Sequence, residues 1–544
     1  MRAPSAVLFV FALALAPALA AAQSSPTSRR DAAPAELPRA TVSTTYPTGG
    51  RTVRVAADAD LQDALDAAKP GDVLLLARSA TYVGNFRLKD KGDLPAGARA
   101  GGWIVIRTDV PDASLGAPGT RMTPSRAAAL RLARIVTADY DPAIGTDPAA
   151  HHWRLTGVEI GAADGAPPIN MLVRFGDGSA RQRTLASVPH HLVVDRSYVH
   201  GAPALDLKRC VVLNSATSAV IDSWLADCHS NRGDSQAILG YNGPGPFKIE
   251  NDHLEAGHEI VAFGGGDPGI KGLVPSDIEI RGNHITRPLA WKKRWQVKNL
   301  VETKNVRRLL IEGNVLENNW KDGQTGFAFV LKAENQSNTA PWTTASDITV
   351  RLNHLRNTGS AFNLSGHGSN ADPVVPATRF TITQNLVEGV NVGPYAGQGI
   401  AFQILSGLSD LIIAHNTIIN QRTEGAGIVF DGAPAQRVTM HSNVFGGGRY
   451  GIKGAGASAG RATLARYAPG ALFDRNVVVE GECGLYPSGT ACPERMTSVG
   501  FVNALEGDFR AGSGPLKGRG LDGGDIGADI ARVRAATRGA VVAP

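Results

Sequence analysis

Beyond its first 22 residues the chain contains no apolar run long enough to span a bilayer, which excludes a membrane protein built on later helices. Only four cysteines occur in 544 residues, and no Cys/His spacing resembles a zinc module. Aromatic residues are scarce at 6%, whereas glycine is abundant at 63, a composition that favours many short strands joined by tight turns. Neither charge sign dominates: 55 Lys and Arg face 49 Asp and Glu, giving +6. That mild excess suits an acidic partner such as a polyuronate, and ordinary proteins also carry it.

What is present begins with a secretory signal. Arg2 supplies the positive end, "AVLFVFALALAPALA" the apolar middle, and "ALAAA" before Gln23 a small-residue cleavage site, so residues 1–22 are expected to be removed and the protein secreted or periplasmic. Residues 23–50 are rich in Ser, Thr, Pro and Ala without apolar period and read as a flexible leader. A cap and first coils with a helical insertion are expected over 51–150, regular coils over 151–480, and a cap and tail over 481–544. Export makes nucleic acid an unfavoured partner, and a monomer is expected. Cys483 and Cys492 flank "GLYPSGTA" and should close a short disulfide loop; Cys210 and Cys228 could pair or sit as small buried hydrophobes.

The dominant signal is a repeat. "IEIRGNHI", "LLIEGNVL", "ITVRLNHL", "FTITQNLV", "LIIAHNTI", "VTMHSNVF" and "ALFDRNVV" place Asn at 283, 314, 353, 385, 416, 443 and 476. Ser197, Ser223 and Asp252 occupy the same place in earlier copies. Each block alternates at period two and is therefore strand. A Gly-led strand follows, as in "GFAFVLKAEN" and "GIAFQILSG". One such coil cannot bury its apolar face alone; stacked coils can, and stacked Asn side chains then satisfy one another. The expected fold is all-β, a right-handed parallel β-helix, with a short capping helix in "ADADLQDALDAAKPGD" and a second helix in "RMTPSRAAALRLARI".

The "ADLQDALDAAKPGDVLLL" opening, the Asn-turn coils and the "DGGDIGAD" ending resemble the pectate-lyase-like superfamily of right-handed β-helix proteins, over residues 50 to 530. That resemblance implies secreted polysaccharide lyases, glycoside hydrolases, esterases, epimerases or non-catalytic adhesins. In "NLVETKN" an inward Val301 and Thr303 leave Glu302 and Lys304 outward; in "GFAFVLKAEN" an inward Phe327, Phe329 and Leu331 leave Ala328, Val330 and Lys332 outward. Stacked Lys304 and Lys332 would need an anion, either Glu302 or a substrate carboxylate. "ETKN" followed one coil later by "LKAEN" is similar in placement to the Lys and Arg pair of the alginate lyase and chondroitinase B family. By that resemblance Lys304 is the base and Lys332 stands at the Arg position, with lysine lacking arginine's bidentate fork.

Further candidates surround this pair. Asn363, Gln403 and His367 take outward places on later coils, and "PLAWKKRWQ" sets Trp291 and Trp295 around Lys293 and Arg294, a mix suited to an acidic sugar or to packing a loop. Glu259 and Asp267 could hold calcium, or a carboxylate here could act in hydrolysis. His151-His152 and His190-His191 could bind metal, although adjacent residues of a strand should point to opposite faces. The functional expectation is a carbohydrate-active enzyme, a polysaccharide lyase cleaving an acidic uronate polymer by β-elimination. The alternatives are a non-catalytic glycan-binding or cell-envelope protein and a glycoside hydrolase.

Overall fold

The computed structural model describes residues 31–544 apart from 369–371 and 420. The expected signal peptide, and the leader up to residue 30, lie outside the described residues. Three long parallel sheets make the body. Sheet A has 14 strands, from Arg51–Val55 to Leu472–Asp474; sheet B has 13, from Thr81–Val83 to Val477–Val479; sheet C has 12, from Phe86–Leu88 to Ile452–Gly454. One coil illustrates the path. Ser276–Arg281 lies in A, His284–Thr286 in B and Asn299–Thr303 in C, and Val306–Glu312 re-enters A one level on. This is a right-handed parallel β-helix. Each coil buries inward apolar residues against its neighbours: the rings of Phe329, Phe362 and Phe402 stack at 4.9 and 5.2 Å, close to the strand spacing.

The recurrent Asn forms a continuous ladder at the turn from A to B. From Asn283 to Asn443, each backbone N–H donates to the Oδ1 of the next Asn at 2.9–3.1 Å, and each Nδ2 donates to the same oxygen at 2.9–3.0 Å. The earlier substitutes continue it: Ser223 N–H donates to Asp252, and Asp252 N–H to Asn283. A carboxyl cannot donate as an amide does, so Asp252 leaves Oδ2 without a partner, and burial pushes its pKa well up.

The expectation of a flexible leader does not hold over residues 31–50. This segment is a strap lying along sheet A. The backbone N–H groups of Ala33, Glu36 and Arg39 donate to Asp410, Asp347 and Asp277. Those aspartates are ion-paired to Arg437, Arg379 and Arg308. Three strap residues thus cover two coils, about 3.2 Å per residue, which is the rise of polyproline II. Pro34 and Pro38 suit that conformation, which needs no apolar alternation and so escapes a hydrophobicity reading. Val42 then enters a small core with Val193, Ala219 and Ile221.

The ends are closed differently. Helix Leu61–Ala67 buries Leu61 and Leu65, and Gln62 exchanges hydrogen bonds with the backbone of Arg87 on the first strand of sheet C. Helix Pro124–Leu130 is an insertion within the early coils, capped by Thr123. At the far end, helix Arg461–Tyr467 sends Leu464 and Tyr467 into the core. The "DGGDIGADI" segment is not a terminal plug: it runs back along the Asn-ladder edge. Gly527 donates to Ser442, Ala528 to Thr417 and Asp529 to Gln384, and Arg121 donates to Ala540.

Both disulfides form. Cys210–Cys228 is fully buried, and Cys483–Cys492 lies at the surface of the C-terminal region. Thiolate exchange requires access. Mild reductant with alkylation should therefore label Cys483 and Cys492 in the folded protein, and Cys210 and Cys228 only after denaturation, as read by peptide mass spectrometry. No helix among the described residues is long and apolar enough to cross a membrane.

Candidate functional site

The outer face of sheet C is where polar side chains converge. Its strands begin with a bend that turns two successive residues inward: Ile260 and Val261, Leu300 and Val301, Ala328 and Phe329 all join the main core. The residue before the bend and the one after it face outward. The expected orientations at the start of the 327–331 strand are therefore reversed: Ala328 is inward, and Phe327 packs outside with Val330 and Ile400. For the 299–303 strand the bend places Asn299 and Glu302 together, and Asn299 Nδ2 donates to Glu302 at 2.7 Å.

Register does the rest. Ala262, Glu302, Val330, Asn363 and Gln403 lie in one column across successive coils. Lys304 and Lys332, just beyond the strand ends, are stacked neighbours. Glu302 and Glu334 sit between them: Lys304 Nζ is 3.7 Å from Glu302 and 3.8 Å from Glu334, and Lys332 Nζ is 3.8 and 2.6 Å from the same carboxylates. The anion demanded by two adjacent ammoniums is thus supplied by the protein. Lys304 also donates to Gln336 Oε1 at 2.7 Å.

Lys304 borders a cavity of about 100 Å³ lined by Arg209, Gln236, Glu259, Ala262 and Glu302. Glu259 accepts from Gln236 Nε2 at 2.7 Å and lies 3.5 Å from Lys298, which is bound to Asp234 at 2.6 Å. Burial raises the pKa of Glu259, and the charge of Asp234 adds to the rise. Burial also raises Glu302, with Glu259 the next contributor, against the pull of Lys304 and Lys332. Asp234 behaves oppositely: burial pushes it up, but Lys298's hydrogen bond and charge carry it below the usual carboxylate value. The site therefore holds two buried carboxyls inclined to keep a proton beside one held ionised.

A fully buried arginine fixes this floor. Arg287 donates to the backbone carbonyls of His258 at 3.1 Å and Asn299 at 2.7 Å, and to Asn319 Oδ1 at 3.0 Å. Those contacts tie down the strand starts that present Glu259 and Glu302. Next to them His258, itself buried, bonds Ser235 Oγ and Gln296 Oε1 at 2.9 Å each, and burial lowers its pKa.

Other expected residues are placed elsewhere. Trp291 and Trp295 are not sugar platforms: both are buried with Trp320, and Trp295 stacks at 3.9 Å on His229. Large indoles found their burial partners between loops. Lys293 and Arg294 are exposed on that loop, and Arg294 spends its guanidinium on the Pro203 carbonyl at 2.6 Å. Asn363 and Gln403 do share the Glu302 column, bonded to each other at 2.9 Å. His367 is exposed, with Nδ1 2.7 Å from the Gly368 carbonyl, and Gly368 packs against Glu334 at the edge of the site. Glu259 and Asp267 each have protein partners of their own. Asp267 Oδ2 accepts from Ser337 and Thr339 as a loop staple, while Glu259 faces an ammonium and an amide.

Sequence reasoning missed Arg209, Asp234, Gln236, Lys298, Glu334 and Gln336. Arg209 is the most consequential. Its Nη1 donates to Asn170 Oδ1 at 2.9 Å and its buried Nε has no partner. No carboxylate among the described residues pairs with it, and burial lowers its pKa. The available signal was register, since Arg209 stacks on Gln236, one coil before Glu259.

No protein-family description and no curated protein sequence matches the chain. Among solved structures, the chain is similar to an alginate lyase from Paenibacillus sp. str. FPU-7, at 14% identity over 81% of this chain and 99% of that one, with a TM-score of 0.35. It is also similar to an alpha-1,3-glucanase catalytic unit from Streptomyces thermodiastaticus, at 13% identity over 84% and 71%, with a TM-score of 0.41. An exopolygalacturonase from Yersinia enterocolitica shows 13% identity over 76% and 77%, with a TM-score of 0.32.

Proposed function

We propose that the protein is an exported enzyme that cleaves an acidic, uronate-containing polysaccharide by β-elimination in the trough on sheet C. The observation that carries this reading is the cavity that joins Lys304, Glu302 and an arginine with no carboxylate of its own, Arg209. A uronate carboxylate is the natural partner for that guanidinium, whose planar fork can bind it bidentately. Neutralising the carboxylate acidifies the adjacent C5 proton. Lys304 Nζ is the group placed to take that proton; the C5–H electrons form the C4–C5 double bond, and the C4–O bond breaks toward the leaving sugar. Glu334 stabilises the ammonium so formed, and the protonated carboxyl of Glu302 can supply the leaving oxygen's proton. Arg174 and Arg87 stand on the outer column that leads to Glu302, extending a basic track along the same face. Two disulfides suit an oxidising compartment.

A second reading rests on Glu259 and Glu302, two neighbouring carboxyls with raised pKa values, as glycoside hydrolysis requires an acid of that kind. The two separate in one screen on alginate, pectate, glucuronan and glycosaminoglycans. Elimination yields unsaturated uronates with strong ultraviolet absorbance; hydrolysis yields reducing ends without it; binding without products indicates a glycan-binding protein. Within the elimination reading, Arg209→Ala should lower kcat/KM by about 10²-fold, the loss of a buried charged hydrogen bond of about 3 kcal/mol. Arg209→Lys should restore little of it, because an ammonium cannot reproduce the fork. Equal kcat/KM in Arg209→Ala would remove Arg209 from the substrate site.

A further inference from the structure

A second constellation lies on sheet A, away from the trough. His151 and His152 open the strand His151–Thr156, and His190 and His191 open His190–Asp195 on the next coil, with His190 paired to His151. Strand alternation should send neighbouring rings to opposite faces. It does not here, because His152 and His191 adopt left-handed backbone angles, φ 59° and 55°. The same left-handed conformation recurs near the start of later sheet-A strands, at Thr217, Asp277, Arg308, Asp347, Arg379, Asp410 and Arg437, and where it falls on histidine in two adjacent coils it brings four imidazoles together.

The rings form two layers. His151 stacks on His190 at 4.8 Å and His152 on His191 at 4.4 Å. Across the layers, the Nδ1 atoms of His151 and His152 are 2.7 Å apart, as are those of His190 and His191. One ring nitrogen from each of His152, His190 and His191 lies within 4.8 Å of the others, the one such group of three or more His, Cys, Asp or Glu ligand atoms among the described residues. His151 Nε2 sits 3.1 Å from the Gly92 carbonyl and 3.5 Å from Asp90. A proton held there leaves Nδ1 as its acceptor, the arrangement by which outer contacts orient metal-binding imidazoles. Trp103 packs edge-on to His152 at 5.2 Å and walls one side. A cavity of about 620 Å³, bounded by Trp103, His191 and strap residues including Thr45 and Tyr46, gives access from solvent.

We propose that His152, His190 and His191 bind one divalent transition-metal ion of the zinc class, with His151 or water completing the coordination. An all-imidazole donor set suits Zn²⁺, Cu²⁺ and Ni²⁺ and suits Ca²⁺ or Mg²⁺ poorly. Tetrahedral Zn²⁺ with Zn–N of about 2.0–2.1 Å holds its nitrogens about 3.4 Å apart, which small ring rotations within the observed spread can reach. The ion would bolt two coils together where the strap crosses them.

The test uses the tag-free full chain stripped with chelator. Titration with Co²⁺ should give a visible ligand-field band saturating at one equivalent, which Zn²⁺ then displaces. Zn²⁺ should also raise the thermal midpoint, since a ligand bound only by the folded state stabilises it. His152→Gln and His191→Gln should each weaken Zn²⁺ binding at least tenfold while the metal-free far-ultraviolet spectrum stays that of the parent. Should either variant fail to fold, X-ray absorption of the Zn²⁺-loaded parent decides, with three or more imidazoles expected. Absence of a stoichiometric Co²⁺ band, parental affinity in both variants, or fewer than three imidazoles on the metal overturns the proposal.

Discussion

Lys304→Ala is expected to abolish turnover while leaving the fold in place. If Lys304 moves the C5 proton, its loss should lower kcat by about 10²–10⁴-fold, the usual contribution of a positioned base. The stability cost should be small. The Lys304 side chain is partly exposed, and Lys332, bound to Glu334 at 2.6 Å, remains to hold the charge of both carboxylates. Glu302, 3.8 Å from Lys332 and hydrogen-bonded to Asn299, can also take a proton, toward which burial already inclines it. The measurement is ultraviolet product formation on whichever uronate polymer the parent cleaves, alongside a thermal melt. Undiminished turnover in a folded Lys304→Ala would remove the base from this position. A large fall in midpoint with no specific loss of kcat would make the Lys–Glu cluster a structural element.

The outline of that cluster was legible because coil stacking converts sequence spacing into proximity. "ETKN" and "LKAEN" sit one coil apart, so Lys304 and Lys332 had to be neighbours. What sequence could not decide was the occupant of the space between them. Glu334 supplies half of it: with Ala333 buried in the core, Glu334 takes the same outward side as Lys332. Trp291 and Trp295 were ambiguous for a different reason. An indole in a loop looks the same whether it stacks on sugar or on protein, and the deciding partner, His229, lies more than 60 residues away. Arg209 was not legible because it lies three coils before Lys304, beyond Gln236 and Glu259, and no local motif marks it. The strap was misread because polyproline II leaves no apolar signature, only prolines and a three-residue exposure rhythm in which Ala32, Ala35 and Pro38 are half-covered. The histidines defeated the alternation rule through two positive φ angles that no residue type announces.

The other large effect belongs to the Asn ladder, where Asn385→Ala is expected to destabilise the protein by at least about 3 kcal/mol. Asn385 is fully inside the turn. Its Oδ1 accepts both the backbone N–H and the Nδ2 of Asn353, and its Nδ2 donates to the carbonyls of Val350 and Thr383 and to Asn416 Oδ1. Removing the amide takes a partner from two donors of Asn353 and from acceptors on three successive coils, Val350, Thr383 and Asn416, at about 1–3 kcal/mol for each buried group that finds no replacement. Asn385→Asp should be milder at low pH than at neutral pH. A protonated carboxyl keeps one donor, whereas an ionised one has none and is buried without a cation, so stability should fall as pH rises through the raised folded-state pKa. Asp252 shows that the ladder admits the carboxyl, with burial driving its pKa up. Because the ladder passes from coil to coil, the damage should spread along the axis, and amide exchange should accelerate first in the coils bearing Asn353 and Asn416. A midpoint for Asn385→Ala within a degree or two of the parent would mean that water replaces the amide, and that apolar stacking alone holds the coils in register.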